Sequence, residues 1–73
     1  MKRNYRLKNL GCANCAAKME RDIQKLPGVT EATISFMTTK LTLEAEDDRY
    51  EDIVRQAQEI AQKYEPEVVL QRA

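Results

Sequence analysis

Along this chain the spacing of apolar residues switches between two and three-to-four, and the order of those switches limits the fold more than any single motif does. From Asn4 to Leu10, Tyr5 and Leu7 alternate with polar neighbours in the period of a half-buried strand, until Asn9-Leu10-Gly11 interrupts them. From about Cys15 the period lengthens: Met19, Ile23 and Leu26 recur at i, i+4 and i+7, which predicts a helix starting at the paired cysteines and stopping at Pro27-Gly28. Gly28 is expected to permit the turn that follows. Ala32, Ile34 and Phe36 then alternate with Thr33 and Ser35, and Leu41, Leu43 and Ala45 do so beyond Met37-Thr38-Thr39-Lys40, the pattern of a hairpin. The acidic run Glu46-Asp47-Asp48 is expected to cap a second helix, in which Ile53, Ala57, Ile60, Ala61 and Tyr64 line one face to about Lys63. Pro66 cannot continue that helix, and Val68-Val69-Leu70 has the branched apolar character of a closing strand.

Strand, helix, strand, strand, helix, strand is the split βαβ order. Right-handed crossovers then place both helices on one face of a four-stranded antiparallel sheet, a ferredoxin-like βαββαβ sandwich of the α/β (α+β) type. At 73 residues the chain has room for one small core, so residues 1–73 are expected to form a single domain without a deep cleft. Burying Met19, Ile23, Leu26, Ile53 and Ile60 against the sheet contributes on the order of 2 kcal/mol per side chain.

Charge narrows the function classes. Lys plus Arg and Asp plus Glu are 12 each, so no net field favours nucleic acid or a strongly acidic substrate. No apolar run approaches the roughly 20 residues that span a bilayer, and Lys2-Arg3 leads into mixed polar sequence rather than a signal-peptide core. The expectation is a cytoplasmic segment without membrane contact of its own, either free or the soluble end of a longer membrane protein. There is no His and no hydroxyl beside a recognisable base, so no enzymatic activity is expected of this segment.

The chemistry concentrates in Cys12-Ala13-Asn14-Cys15, the only cysteines of the chain. A disulfide closing so small a loop constrains the unfolded chain little, and in a reducing cytosol thiols at this spacing ligate metal or exchange disulfides. A loop meeting a helix N-terminus favours the thiolate, which is the form that binds metal. Closed structural zinc sites take four protein ligands, whereas Cys12 and Cys15 supply two, so the site must be open or shared. Cu(I) is satisfied by two sulfurs, while tetrahedral Zn(II) or Cd(II) needs further donors from a carboxylate, water or a docked partner. An exposed pair of thiolates can also recruit donors from a second copy, giving a monomer without metal and a metal-linked dimer with it. The redox alternative, a dithiol oxidoreductase, is usually found in a different, thioredoxin-like βαβ setting.

Other candidates have blander readings. The helical spacing of Met19 with Ile23 makes it a core residue, Met1 lies at a fraying terminus, and Met37 sits in a hairpin turn expected to be remote from the cysteines. Tyr64 is expected to pack its ring, with an outer contact at the cysteine loop as the sharper option. Lys18, Arg21 and Lys25 form a solvated face that could also guide an acidic partner. Glu44, Glu46, Asp47, Asp48, Glu51 and Asp52 lack the glycine and ligand spacing of a calcium loop.

With motif and element order in place, Asn9-Leu10-Gly11-Cys12-Ala13-Asn14-Cys15 resembles the metal loop of the heavy-metal-associated domain family, as do Leu26-Pro27-Gly28-Val29, the strand to Phe36 and the Tyr64 region. Members include copper chaperones, mercury-binding proteins and soluble domains of metal-pumping P-type ATPases. The segment Cys12-Ala13-Asn14-Cys15-Ala16 followed by Lys18 and Glu20 is most similar to N-terminal domains of cadmium- and zinc-exporting ATPases. The resemblance implies metal ligation by Cys12 and Cys15 and delivery of Zn(II) or Cd(II) to other ATPase domains, with a free copper metallochaperone carrying Cu(I) as the alternative. The loop departs from the family in Asn9, where Gly is common, Leu10, where Met is common, and Gly11, where Thr or Asp often sits. Leu10 is expected to fill the same core space as Met. Many zinc-selective relatives use an acidic residue before the first cysteine as a third ligand. Gly11 offers none, so a carboxylate is expected from elsewhere, such as another part of a longer protein.

Overall fold

A computed structural model describes residues 1–72. The elements run β1 (Lys2–Lys8), α1 (Ala13–Gln24), β2 (Val29–Ser35), β3 (Lys40–Ala45), a short 3-10 turn (Asp47–Arg49), α2 (Tyr50–Tyr64) and β4 (Val69–Arg72). The strands form one sheet in the order β2-β3-β1-β4, with every neighbour antiparallel. This is the expected ferredoxin-like sandwich.

Period-two patterning explains which face is covered. Tyr5 lies opposite Leu41, and Ala32 and Ile34 lie opposite Leu43 and Leu41, so their side chains share one face. Onto that face pack Met19 and Ile23 from α1 and Ile53, Ala57 and Ala61 from α2, all within one buried cluster. Met19, Ile23, Leu41, Leu43, Ile53 and Val68 are fully buried, each contributing about 1.5–3 kcal/mol of apolar burial. Leu26 and Ile60 pack at the margin and stay partly exposed, whereas Tyr5, Leu7 and Tyr50 complete the centre. The buried Tyr50 hydroxyl is satisfied by the Leu43 carbonyl at 2.9 Å.

Several boundaries differ from the sequence reading, each for a local reason. β1 starts at Lys2, two residues before the alternation read from Asn4, and ends at Lys8 at the expected interruption, where Asn9 turns left-handed at φ 66, a conformation Asn tolerates well. β2 ends at Ser35, leaving Phe36 at 40% exposure beside the hairpin turn. The Glu46-Asp47-Asp48 run does not cap α2. It forms the 3-10 turn, Asp47 pairs with the Met1 amino group at 2.8 Å, and the residue before α2, Arg49, makes no side-chain cap bond. Glu51 and Asp52 in the first turn still favour the positive end of the helix dipole.

Gly28 is required twice over. Its φ of +92 is costly for any residue with a Cβ, and a Cβ there would lie 3.1 Å from Ile53 Cδ1. The turn thus packs against the start of α2, at the end of the sheet opposite the cysteines. Among the described residues no helix is long and apolar enough to cross a membrane.

Candidate metal centre

The loop from Asn9 to Cys12 connects β1 to α1, and its conformation sets where the sulfurs point. Leu10 anchors it by packing, partly buried, against the core. Cys12 is the N-cap of α1, extended at φ −134 and ψ 114, and its Sγ accepts the otherwise unpaired Cys15 N–H at 3.2 Å. The helix therefore begins at Ala13, and Cys15 falls in its first turn, facing back toward the cap. Both cysteines are free thiols of intermediate exposure, anchored but reachable.

The structure brings a carboxylate to the cysteines, a candidate third donor from within the chain. Glu65 ends α2, and one of its carboxylate oxygens, Cys12 Sγ and Cys15 Sγ all lie within 4.8 Å of one another. The β1–β4 pairing produces this meeting, because it sets the loop after β1 beside the turn before β4. Two contacts lock the turns together: Asn9 Nδ2 donates to the Glu67 carbonyl at 2.9 Å, and Gly11 N–H donates to the Glu65 carboxylate at 3.3 and 3.4 Å. Gly11 and Glu65 are 54 positions apart, so no local spacing reveals the pair. The available signal was topological: an acidic residue between the last turn of α2 and Pro66.

The thiols are not equivalent. The Cys12 thiol is held below its ordinary value by the side-chain hydrogen bond with Cys15 and then by the Cys15 backbone N–H. The same side-chain contact, followed by burial and the charge of Cys12, pushes the Cys15 thiol up. Glu65 raises both, and Lys18 partly offsets this at Cys15. The helix N-terminus thus favours the thiolate chiefly at Cys12, and full ionisation brings three negative groups together, an arrangement a cation relieves. A lowered value means thiolate present at lower pH. Site-resolved alkylation across a pH series should therefore reach half-maximum at lower pH for Cys12 than for Cys15, and coincident or reversed profiles would contradict this geometry.

The remaining candidates separate clearly. Met19 is fully buried, as expected. Met37 is 95% exposed in the turn between β2 and β3. Lys18 and Arg21 on α1 and Lys25 just after it are exposed. Tyr64 packs against the core, and its hydroxyl turns to the Asp22 carboxylate on α1 rather than to the cysteine loop. Among the described residues the acidic run near α2 brings no three carboxylates together as Cys12, Cys15 and Glu65 are brought together.

Comparison with known proteins places the chain in a family. A probable cadmium-transporting ATPase of Listeria monocytogenes is 48% identical over 42 residues, covering 58% of this chain and 6% of that protein. A probable copper-importing P-type ATPase A of Enterococcus hirae is 33% identical over 49 residues, 67% of this chain and 7% of that protein. The chain therefore spans less than a tenth of the length of either relative. The solution structure of the N-terminal domain of ZntA in the apo-form superposes with a TM-score of 0.71 at 28% identity, over 99% of this chain and 90% of that one. The heavy-metal-associated domain model matches residues 4–65, which takes in Cys12, Cys15 and Glu65, and the chain belongs to the heavy-metal-associated domain family.

Proposed function

We propose that residues 1–73 act as one unit that binds Zn(II) or Cd(II) through Cys12, Cys15 and Glu65 and passes the ion on, as a cytosolic part of a cation-transporting P-type ATPase. The observation that carries this reading is the convergence of two sulfurs and a carboxylate oxygen within 4.8 Å. Two thiolates and a carboxylate suit a divalent ion of borderline-to-soft character, and they leave a coordination position for an incoming donor. Transfer then proceeds by ligand exchange: an incoming thiolate or carboxylate binds the ion before either original sulfur leaves. No free ion forms and no oxidation state changes. The unit itself catalyses nothing, and any coupling to ATP hydrolysis belongs to the rest of a longer chain. The cadmium in the name of the Listeria relative supports this reading.

The copper in the name of the Enterococcus relative supports a second reading, in which Cys12 and Cys15 alone hold Cu(I), in a pump domain or a free-standing metallochaperone. Titrating the reduced protein with Zn(II), Cd(II) and Cu(I) against chelators of known affinity separates the two. The first reading expects tight Cd(II) and Zn(II) binding, with a thiolate-to-cadmium charge-transfer band. Weak divalent binding beside strong Cu(I) binding would replace it with the second.

A further inference from the structure

Tyr64 and Asp22 supply no donor to the candidate site, yet together they join the two helices that carry it. Tyr64 is the last residue of α2 and directly precedes Glu65. Its hydroxyl donates to the Asp22 carboxylate across the α1–α2 interface, both residues half-buried. α1 presents Cys15 in its first turn, and Cys15 and Tyr64 pack against the same core cluster. Beyond Tyr64 the backbone leaves the helix: Glu65 is extended at φ −137 and ψ 100, with its N–H still bonded to the Ala61 carbonyl at 2.9 Å. Helix ends fray, and loosening this last turn would swing the Glu65 carboxylate away from the sulfurs.

We propose that the Tyr64–Asp22 hydrogen bond is a strut that clamps the end of α2 to α1 and so holds Glu65 over the Cys12–Cys15 pair, making Tyr64 a positioning residue for divalent-ion selectivity. This rests on the reading of Glu65 as the third donor. A donor already held in place loses less conformational entropy when it binds, so the strut strengthens only those ions that use Glu65. Cd(II) and Zn(II) do. Cu(I), held by two sulfurs, does not.

The test is Tyr64→Phe, which keeps the ring and removes the hydroxyl, made in the wild-type and Glu65→Gln backgrounds and read with Cd(II) and Cu(I) competition titrations. In the wild-type background Cd(II) affinity should fall about 3- to 10-fold, at or below the low end of what loss of an outer contact to a metal ligand costs, with Cu(I) affinity held within about twofold. In the Glu65→Gln background Tyr64→Phe should change Cd(II) affinity by less than about twofold, because its effect travels through the missing carboxylate. Asp22→Asn, which keeps an acceptor oxygen, should retain most of the affinity that Asp22→Ala loses. An equal loss for Cu(I), or one that persists with Glu65→Gln, would make Tyr64 a general stabiliser and overturn the strut. If Glu65→Gln weakens Cd(II) while Tyr64→Phe does nothing, the strut fails and the Glu65 reading stands. If Glu65→Gln itself leaves Cd(II) binding unchanged, both fall.

Discussion

Replacing both Cys12 and Cys15 by serine is expected to lower affinity for Cd(II) and Cu(I) by on the order of a thousandfold or more, the largest effect any substitution in this chain should have. A serine hydroxyl stays protonated at neutral pH and is a hard oxygen, so both the charge and the softness of the donors disappear. The fold should survive the change. Cys12 is the N-cap of α1 and Sγ accepts the Cys15 N–H, a role in which serine is among the preferred residues. Cys15 is of intermediate exposure rather than central to the core, so an isosteric hydroxyl leaves no cavity. Competition titration of the variant, with its thermal melt compared to that of the parent, checks both halves. Retention of affinity to within about tenfold, with the fold intact, would remove the thiols from the site.

Glu65→Gln should have the second-largest effect, a fall of about 10- to 100-fold in Cd(II) and Zn(II) affinity with Cu(I) affinity almost unchanged. Glutamine keeps the length of the side chain and an oxygen able to accept from Gly11 N–H, so the tie between the two turns is retained while the anionic donor is lost. One effect runs the other way. The Glu65 charge raises both thiol values, so removing it makes the sulfurs easier to ionise and offsets part of the loss. The measured change therefore understates what the carboxylate contributes as a ligand. A uniform loss across all three ions would instead point to a disturbed loop, and no loss for Cd(II) would confine the site to the two sulfurs.

How much of this was legible before folding depends on the range of the interaction. The apolar stripe of Met19 and Ile23, the alternation of Leu41 and Leu43 and the stop at Pro27-Gly28 are local patterns that pointed directly to α1, β3 and the turn between α1 and β2. The interruption at Asn9 was legible, but the left-handed φ that makes it has no counterpart in apolar spacing. The capping role expected of Glu46-Asp47-Asp48 failed because the run winds into a 3-10 turn of its own, which leaves Arg49 as the residue before α2.

The site divides along the same line. The convergence of Cys12 and Cys15 was readable from the sequence alone, since two intervening residues at a loop-to-helix junction bring both sulfurs to one point. The place of Glu65 was decided by the tertiary structure, because the β1–β4 pairing sets the end of α2 beside the cysteine loop, and the Gly11 and Asn9 hydrogen bonds tie the two turns together. Spacing along the chain encodes contacts within a few residues; a carboxylate 54 positions from Gly11 becomes a neighbour through sheet order, which the whole pattern of burial determines and no short motif records.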